Sequence, residues 1–262
     1  MSLAYKKVAG MENNRENPII TFFVTSYNRP EYLDEALSSL HNQTVNNWEA
    51  VITDRCSDDP RVRDVIIKWC EEDPRFMPFF LRKVGRNLPS DIMLAIKTHQ
   101  KAMTMLGFKQ PRYYSFLDDD NRKAYTFCEV MLDLIAQTET DMAVCASTTI
   151  DAGGHLIGIK NQKDGTYLSY GDLLKTNIID WGEIVISYDL FHEINELDQD
   201  IPAYIDWILA LKVLQLGYKI SSTQAILHDY RVHPGQLTAR HSRRIPMWID
   251  EVKRKYGKSS TN

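Results

Sequence analysis

Hydrophobic residues in the first half of the chain fall in short blocks that alternate with stretches of helical period. Ile19-Ile20-Thr21-Phe22-Phe23-Val24 follows Pro18 and is β-branched or aromatic throughout, which predicts a strand buried on both faces. Beyond the turn Ser26-Tyr27-Asn28-Arg29-Pro30, apolar positions at Leu33, Ala36, Leu37 and Leu40 predict a helix. Ala50-Val51-Ile52-Thr53 predicts a second strand that ends in Asp54. Pro60 then opens a helix with Val62, Val65, Ile66 and Trp69 on one side. Residues 77–81 predict a third strand, 89–106 a helix, and 113–117 a fourth strand.

Strand–helix alternation of this kind predicts an α/β fold, its sheet largely parallel and covered by helices on both faces. Functional groups then gather at the C-terminal ends of the strands. The texture changes after a helix expected over 123–137. A strand over 142–150, the turn Asp151-Ala152-Gly153-Gly154 and a return strand over 155–159 predict a hairpin. The stretch 161–200 reads as mixed and loop-rich, and 202–216 as a strongly apolar helix. The second half thus reads as a smaller antiparallel extension completing a site begun by the first.

Composition narrows this picture. A chain of 262 residues, 44% hydrophobic, can bury a substantial core. A formal net charge of -4 argues against a general nucleic-acid binder, so any basic site must be local. Cys56, Cys70, Cys128 and Cys145 form no CxxC pair and read as small hydrophobes of a reducing, cytoplasmic compartment. No apolar run approaches the roughly 20 residues that span a bilayer. The polar residues 1–17 read as irregular, 18–240 as the folded domain, and 241–262 as a basic amphipathic helix and tail.

The chemistry concentrates in acids. Asp118-Asp119-Asp120 follows the run Tyr113-Tyr114-Ser115-Phe116-Leu117, and stacked negative charge at the end of a buried strand needs a positive partner. Mn²⁺ or Mg²⁺ holding a phosphate would supply one; a decorated helix N-terminus is the plainer reading. If the segment stays extended, Asp118 and Asp120 face one crevice. If it turns sharply after Leu117, Asp119 and Asp120 do. Asp54, also at a strand end, suits a ribose or base N–H, or else caps its own turn. Asp206 lies among Ile205, Trp207, Ile208 and Leu209, where apolar neighbours would raise its pKa and fit it for general-base work. His228, His233, His241, Arg231 and Arg240 gather late in the chain, where a histidine could meet a metal–diphosphate centre.

These segments, in order, carry a resemblance. Thr25-Ser26-Tyr27-Asn28-Arg29-Pro30-Glu31-Tyr32-Leu33, then Ser38-Ser39-Leu40-His41-Asn42-Gln43-Thr44, then Trp48-Glu49-Ala50-Val51-Ile52-Thr53-Asp54 resemble the start of a family 2 glycosyltransferase of the GT-A fold. Phe116-Leu117-Asp118-Asp119-Asp120-Asn121 is similar to that family's metal-binding DxD element. Ile205-Asp206-Trp207 resembles the region of its catalytic base. The resemblance covers residues 18–240, with 18–122 as the nucleotide-sugar half and 123–240 as the acceptor-side half. It implies an inverting, metal-dependent transfer. Thr25, Tyr27, Arg29, Asp54, Asp118 and Asp119 would hold the nucleotide, Asp120 and His233 the Mn²⁺ or Mg²⁺, and Asp206 would be the base. Arg55-Cys56-Ser57 departs from the expected Asp-Gly-Ser turn, and Ile205 stands where an acid usually precedes the base.

The expected partners are a nucleoside diphosphate sugar, UDP-linked by preference, and a saccharide or other hydroxyl acceptor, with no nucleic acid. The chain is expected as a monomer or homodimer. Trp181 is an acceptor-side candidate that could equally pack the core. The basic tail would either touch the inner face of a membrane or pack as a helix on the domain. Rival readings are a sugar-phosphate nucleotidyltransferase, which lacks here its usual glycine-rich basic loop, and a non-catalytic nucleotide-sugar binder.

Overall fold

The computed structural model describes residues 19–81, 110–160, 167–194, 204–236, 239 and 242–257. The helix expected over 89–106, the opening segment 1–17, residues 202–203 of the later apolar helix, and His241 and Arg240 lie outside them.

Strands β1 (Ile20–Ser26), β2 (Trp48–Asp54), β3 (Phe76–Phe80) and β4 (Tyr113–Asp118) run parallel, in the spatial order β3-β2-β1-β4. All seven residues of β1 and of β2 are buried, as central strands covered on both faces are, and the buried Glu49 of β2 accepts a hydrogen bond from Thr21 Oγ1 of β1. Helix α1 (Pro30–His41) buries Leu33, Ala36, Leu37 and Leu40, the stripe its sequence period describes. Helix α2 (Pro60–Glu72) buries Val62, Ile66 and Trp69 but leaves Val65 half-buried; its N-cap Asp59 accepts a hydrogen bond from Arg61 N.

The rest of the chain comprises β5 (Arg122–Lys123), α3 (Phe127–Thr138), β6 (Met142–Ile150), β7 (Leu156–Lys160), α4 (Tyr170–Lys175), a 3₁₀ turn (Trp181–Glu183), β8 (Ile184–Ser187), α5 (Tyr188–Glu193), α6 (Ile205–Gln215), β9 (Ile220–Arg231) and α7 (Ile245–Tyr256). It extends the same sheet, whose full order is β3-β2-β1-β4-β8-β6-β9-β5, with β7 beside β6. The β6–β7 hairpin closes through Gly154, at φ +84, whose N donates to Asp151 O.

Two strands correct the sequence reading. The stretch expected to be loop-rich contains β8, which sits centrally and antiparallel to both β4 and β6. Four residues are too few for a periodicity to show, and burial on both faces makes Ile184–Ser187 uniformly apolar or small. The 12-residue β9 pairs in parallel with β6 through register shifts, so its alternation is broken and its sequence looks irregular. The helix expected from 123 begins at Phe127, because Arg122 and Lys123 pair with Asp229 and His228 as β5.

The sheet separates two apolar layers. Phe22, Val24, Ala50, Ile52 and Leu117 face α1, α2 and α3, while Phe23, Val51, Tyr114 and Phe116 face α6 and α7. The basic terminal helix α7 spends its apolar side inside the second layer, through Trp248, Val252 and Tyr256.

Candidate active site

Chain order places the site. From β1 the chain moves to β2 and β3 on one side, then returns to put β4 on the other. A crevice therefore opens at the C-terminal ends of β1 and β4, the switch point where ligands of open α/β sheets bind. Thr25 and Asp118 are register partners at that point, as are Ser26 and Asp54 on the other side of β1.

Asp118 closes β4, and its Oδ1 accepts from Thr25 Oγ1 at 2.8 Å. The chain turns immediately afterwards, with Asn121 N donating to Asp118 O. The turn brings Asp119 and Asp120 to bear together on Arg29, whose Nη1 lies 2.8 Å from Asp119 Oδ1 and 2.6 Å from Asp120 Oδ2. Arg29 Nη2 also donates to Gly235 O, and Tyr27 N donates to Asp119 Oδ2. The positive charge demanded by the triplet is thus supplied by the chain itself. Burial pushes the Asp118 carboxyl up to about 6, helped by the charges of Asp120 and Asp180 and opposed by the Thr25 hydroxyl and Arg29.

Asp120 Oδ2 lies 3.0 Å from His233 Nε2, and Gly235 N donates to His233 Nδ1. That second bond leaves Nδ1 unprotonated, so in the neutral ring Nε2 carries the hydrogen and donates to Asp120. Arg231 secures the arrangement from below: it is buried, its Nε donates to Asp120 O, its Nη2 pairs with Glu35, and its guanidinium lies 4.4 Å from the Tyr32 ring centre.

Asp54 is buried, with Oδ1 accepting from both Ser57 N and Ser57 Oγ. The departed turn Arg55-Cys56-Ser57 therefore still holds its acid. Asn28 stitches it to the turn after β1, its Oδ1 accepting from Asp58 N and Asp59 N. Asn28, Cys56 and Tyr204 adopt positive φ values of 55°, 62° and 65°. Each lies beside a candidate residue, and strain of this kind persists where surrounding structure over-determines a site.

Asp206 enters from the first turn of α6. Its Oδ1 accepts from Trp207 N at 2.7 Å and Asn177 Nδ2 at 3.3 Å. Burial, then the neighbouring charge of Asp180, pushes its carboxyl up to about 7. The apolar setting read from the sequence is present: Trp207, Ile208 and Leu209 are buried beside it. Trp181 is also buried. Its ring stacks on Phe116 with centroids 3.8 Å apart, so it is engaged in packing rather than offered to a sugar. Sequence reading passed over Asp180, the N-cap of the turn that Trp181 begins. Its only signal was Asp180-Trp181-Gly182-Glu183, a capping-box spacing on too short an element to stand out.

Among the described residues, no three His, Cys, Asp or Glu side chains converge as a closed metal cage. Asp120, with His233 beside it, still suits an ion that takes one or two protein donors and completes its shell with phosphate oxygens and water.

Comparison with known proteins accords with this geometry. Residues 21–190 match the model of the family described as Glycosyl transferase family 2. The Bacillus subtilis protein TuaG, assigned as a teichuronic acid biosynthesis glycosyltransferase, is 23% identical over 82% of this chain and 79% of its own. The S. aureus TarS structure in complex with UDP-GlcNAc superposes with a TM-score of 0.66 at 14% identity, over 83% of this chain but 59% of that one. The mannosyltransferase PcManGT of Pyrobaculum calidifontis, in complex with GDP-Man and Mn²⁺, gives 0.65 at 15% identity, over 95% of this chain and 69% of that one. These structures share its GT-A fold. The acids at the switch point, the buried carboxylate beyond them and a family match over most of the folded region agree, and the chain belongs to glycosyl transferase family 2.

Proposed function

We propose that this glycosyltransferase moves a sugar from a nucleoside diphosphate to an acceptor hydroxyl with inversion at the anomeric carbon. The observation that carries the reading is the division of acids. Asp54 and Asp118–Asp120 cluster at the switch point, and Asp206 stands apart on α6 with its proton affinity raised. The nucleotide would lie along Thr25, Tyr27 and Asp54. Among the described residues Asp54 Oδ2 makes no hydrogen bond, which leaves it free to accept from a ribose hydroxyl or base N–H. The diphosphate would then meet Arg29, Asp119 and Asp120.

Asp206 takes the proton of the acceptor hydroxyl as its oxygen attacks the anomeric carbon. The bond from that carbon to the diphosphate oxygen breaks, and its electron pair leaves with the nucleoside diphosphate. Arg29, paired with Asp119 and Asp120, would offset charge on the departing diphosphate. A divalent cation held by Asp120 and, after a change of tautomer, His233 would neutralise that charge further when bound.

The nucleotide sugars bound in the TarS and PcManGT structures, and the Mn²⁺ bound in the latter, make UDP- and GDP-sugars with Mn²⁺ the first panel to assay for nucleoside diphosphate release, with Mg²⁺ beside it. Asp206→Asn should lower turnover about 10²–10⁴-fold with donor binding largely kept. Near-normal turnover in that variant would remove Asp206 as the base. Retention of anomeric configuration in the product would remove the single displacement.

A further inference from the structure

Four polar residues lie side by side across the second half of the sheet. Lys123 on β5 is the register partner of His228 on β9, His228 of Ser147 on β6, and Ser147 of Lys160 on β7. Partners in register project from the same face. All four reach one short segment, residues 180–183. Lys123 Nζ donates to Gly182 O. His228 Nε2 lies 3.2 Å from Asp180 Oδ1. Ser147 Oγ donates to Glu183 Oε1 at 2.6 Å, and Lys160 Nζ lies 3.1 and 3.2 Å from the two Glu183 oxygens.

The segment is also tied to itself, since Asp180 Oδ1 accepts from Gly182 N and Glu183 Oε2 accepts from Asp180 N. A Cβ on Gly182 would overlap the His228 ring, so the turn sits directly on the row. Stacking of Trp181 on Phe116 fixes it to the strand that ends in Asp118.

So dense a cradle holds Asp180 in one orientation. Its Oδ1 is engaged, whereas its Oδ2 makes no hydrogen bond among the described residues, and one fifth of the side chain remains exposed. Its charge is felt by Asp118 on one side and Asp206 on the other. Burial pushes the carboxyl up, but His228, Lys160 and Gly182 N together outweigh it and hold Asp180 at about 2. Asp180 is thus an ionised, acceptor-only group between the acids assigned to the diphosphate and the acid assigned as base. The transferred sugar must occupy that interval, because the hydroxyl deprotonated by Asp206 attacks from the face opposite the diphosphate.

We propose that Asp180 Oδ2 accepts a hydrogen bond from a hydroxyl of the transferred sugar and so determines which sugar the chain uses. The inference rests on the glycosyl-transfer reading above. A sugar that lacks or inverts that hydroxyl would leave a fixed carboxylate desolvated and unpaired, which makes such a group selective.

Calorimetric titration tests it, using wild type, Asp180→Asn and Asp180→Glu with UDP, GDP, UDP-N-acetylglucosamine, UDP-glucose and GDP-mannose. Asp180→Asn should bind the nucleoside diphosphates as wild type does. The extra affinity of the preferred nucleotide sugar over its own diphosphate should fall about tenfold. Asp180→Glu keeps the charge but moves the oxygen, and should reorder the sugars. Unchanged sugar increments in both variants would overturn the inference while leaving glycosyl transfer intact. Parallel loss of nucleoside diphosphate affinity would also overturn it, since Asp180 would then only support the fold. A wild-type chain that binds no nucleotide sugar would overturn the glycosyl-transfer reading itself.

Discussion

Arg29 is the residue on which the site's electrostatics turn. One guanidinium nitrogen serves both Asp119 and Asp120, and the side chain is less than a quarter exposed. Removing it leaves two nearly buried carboxylates facing each other. Arg29→Met should therefore destabilise the chain by about 3 kcal/mol. Mn²⁺ should restore part of that loss, because it offers the same acids another cation. Thermal melts of the variant with and without Mn²⁺ check both, and a variant that Mn²⁺ does not stabilise at all would show that the acids do not take the ion. Asp206 carries a pH signature of its own. A carboxyl raised to about 7 stabilises the fold fully below its unfolded value near 4, and that contribution is lost as pH rises through about 7. Activity should run the other way, rising through the same range as the base loses its proton. Asp206→Asn should melt higher than wild type at pH 8 and at much the same temperature at pH 4, which a melting series across pH would reveal.

At the scale of elements, legibility followed length and period. Ile20–Ser26, Pro30–His41 and Pro60–Glu72 were readable because each buries a stripe or run long enough to repeat. β8 was not, although it is central to the sheet, because four residues with both faces buried carry no alternation. Asp118–Asp120 and Asp54 announced themselves by standing at the ends of apolar runs, and Asp206 by interrupting one. Asp180 did not, because what makes it notable is a row of partners on β5, β9, β6 and β7 that only strand register reveals. The 3₁₀ turn yields a prediction here. Gly182→Ala must displace the His228 ring, which is fully buried, and should cost about 2 kcal/mol. A melting temperature equal to wild type would mean that the turn is not seated on β9 as described.

For the whole molecule, the terminal helix decides how the surface is divided. α7 has an apolar side and a basic side, the combination that lets a free helix lie on a membrane. Here Trp248, Val252 and Tyr256 join the layer that also contains α6, and Tyr170 Oη donates to Tyr256 O. Lys253, Arg254 and Lys255 lie at the solvent-facing end, and Met247 is the large apolar side chain of this helix left exposed. None of the described helices is long and apolar enough to cross a membrane. Trp248→Ala should cost about 3 kcal/mol and free the helix, seen as increased protease cleavage near residue 245. An uncleaved, equally stable variant would mean that α7 contributes little to the core.

The antiparallel course of β8 has a further consequence. Because it runs against β4, its beginning rather than its end lies at the mouth of the crevice, so the residues just before it are delivered there. β8 therefore acts as a ruler measured from Ser187 back to Asp180. Removing one residue from it would reverse the facing of Ile184 and Val185, which belong to opposite apolar layers, and swing Asp180 away from the sugar. Exchanging residues 180–183 alone would leave the ruler intact. Donor preference in this chain is thus open to change by substitution within one turn, while any change in that turn's spacing acts on the entire sheet.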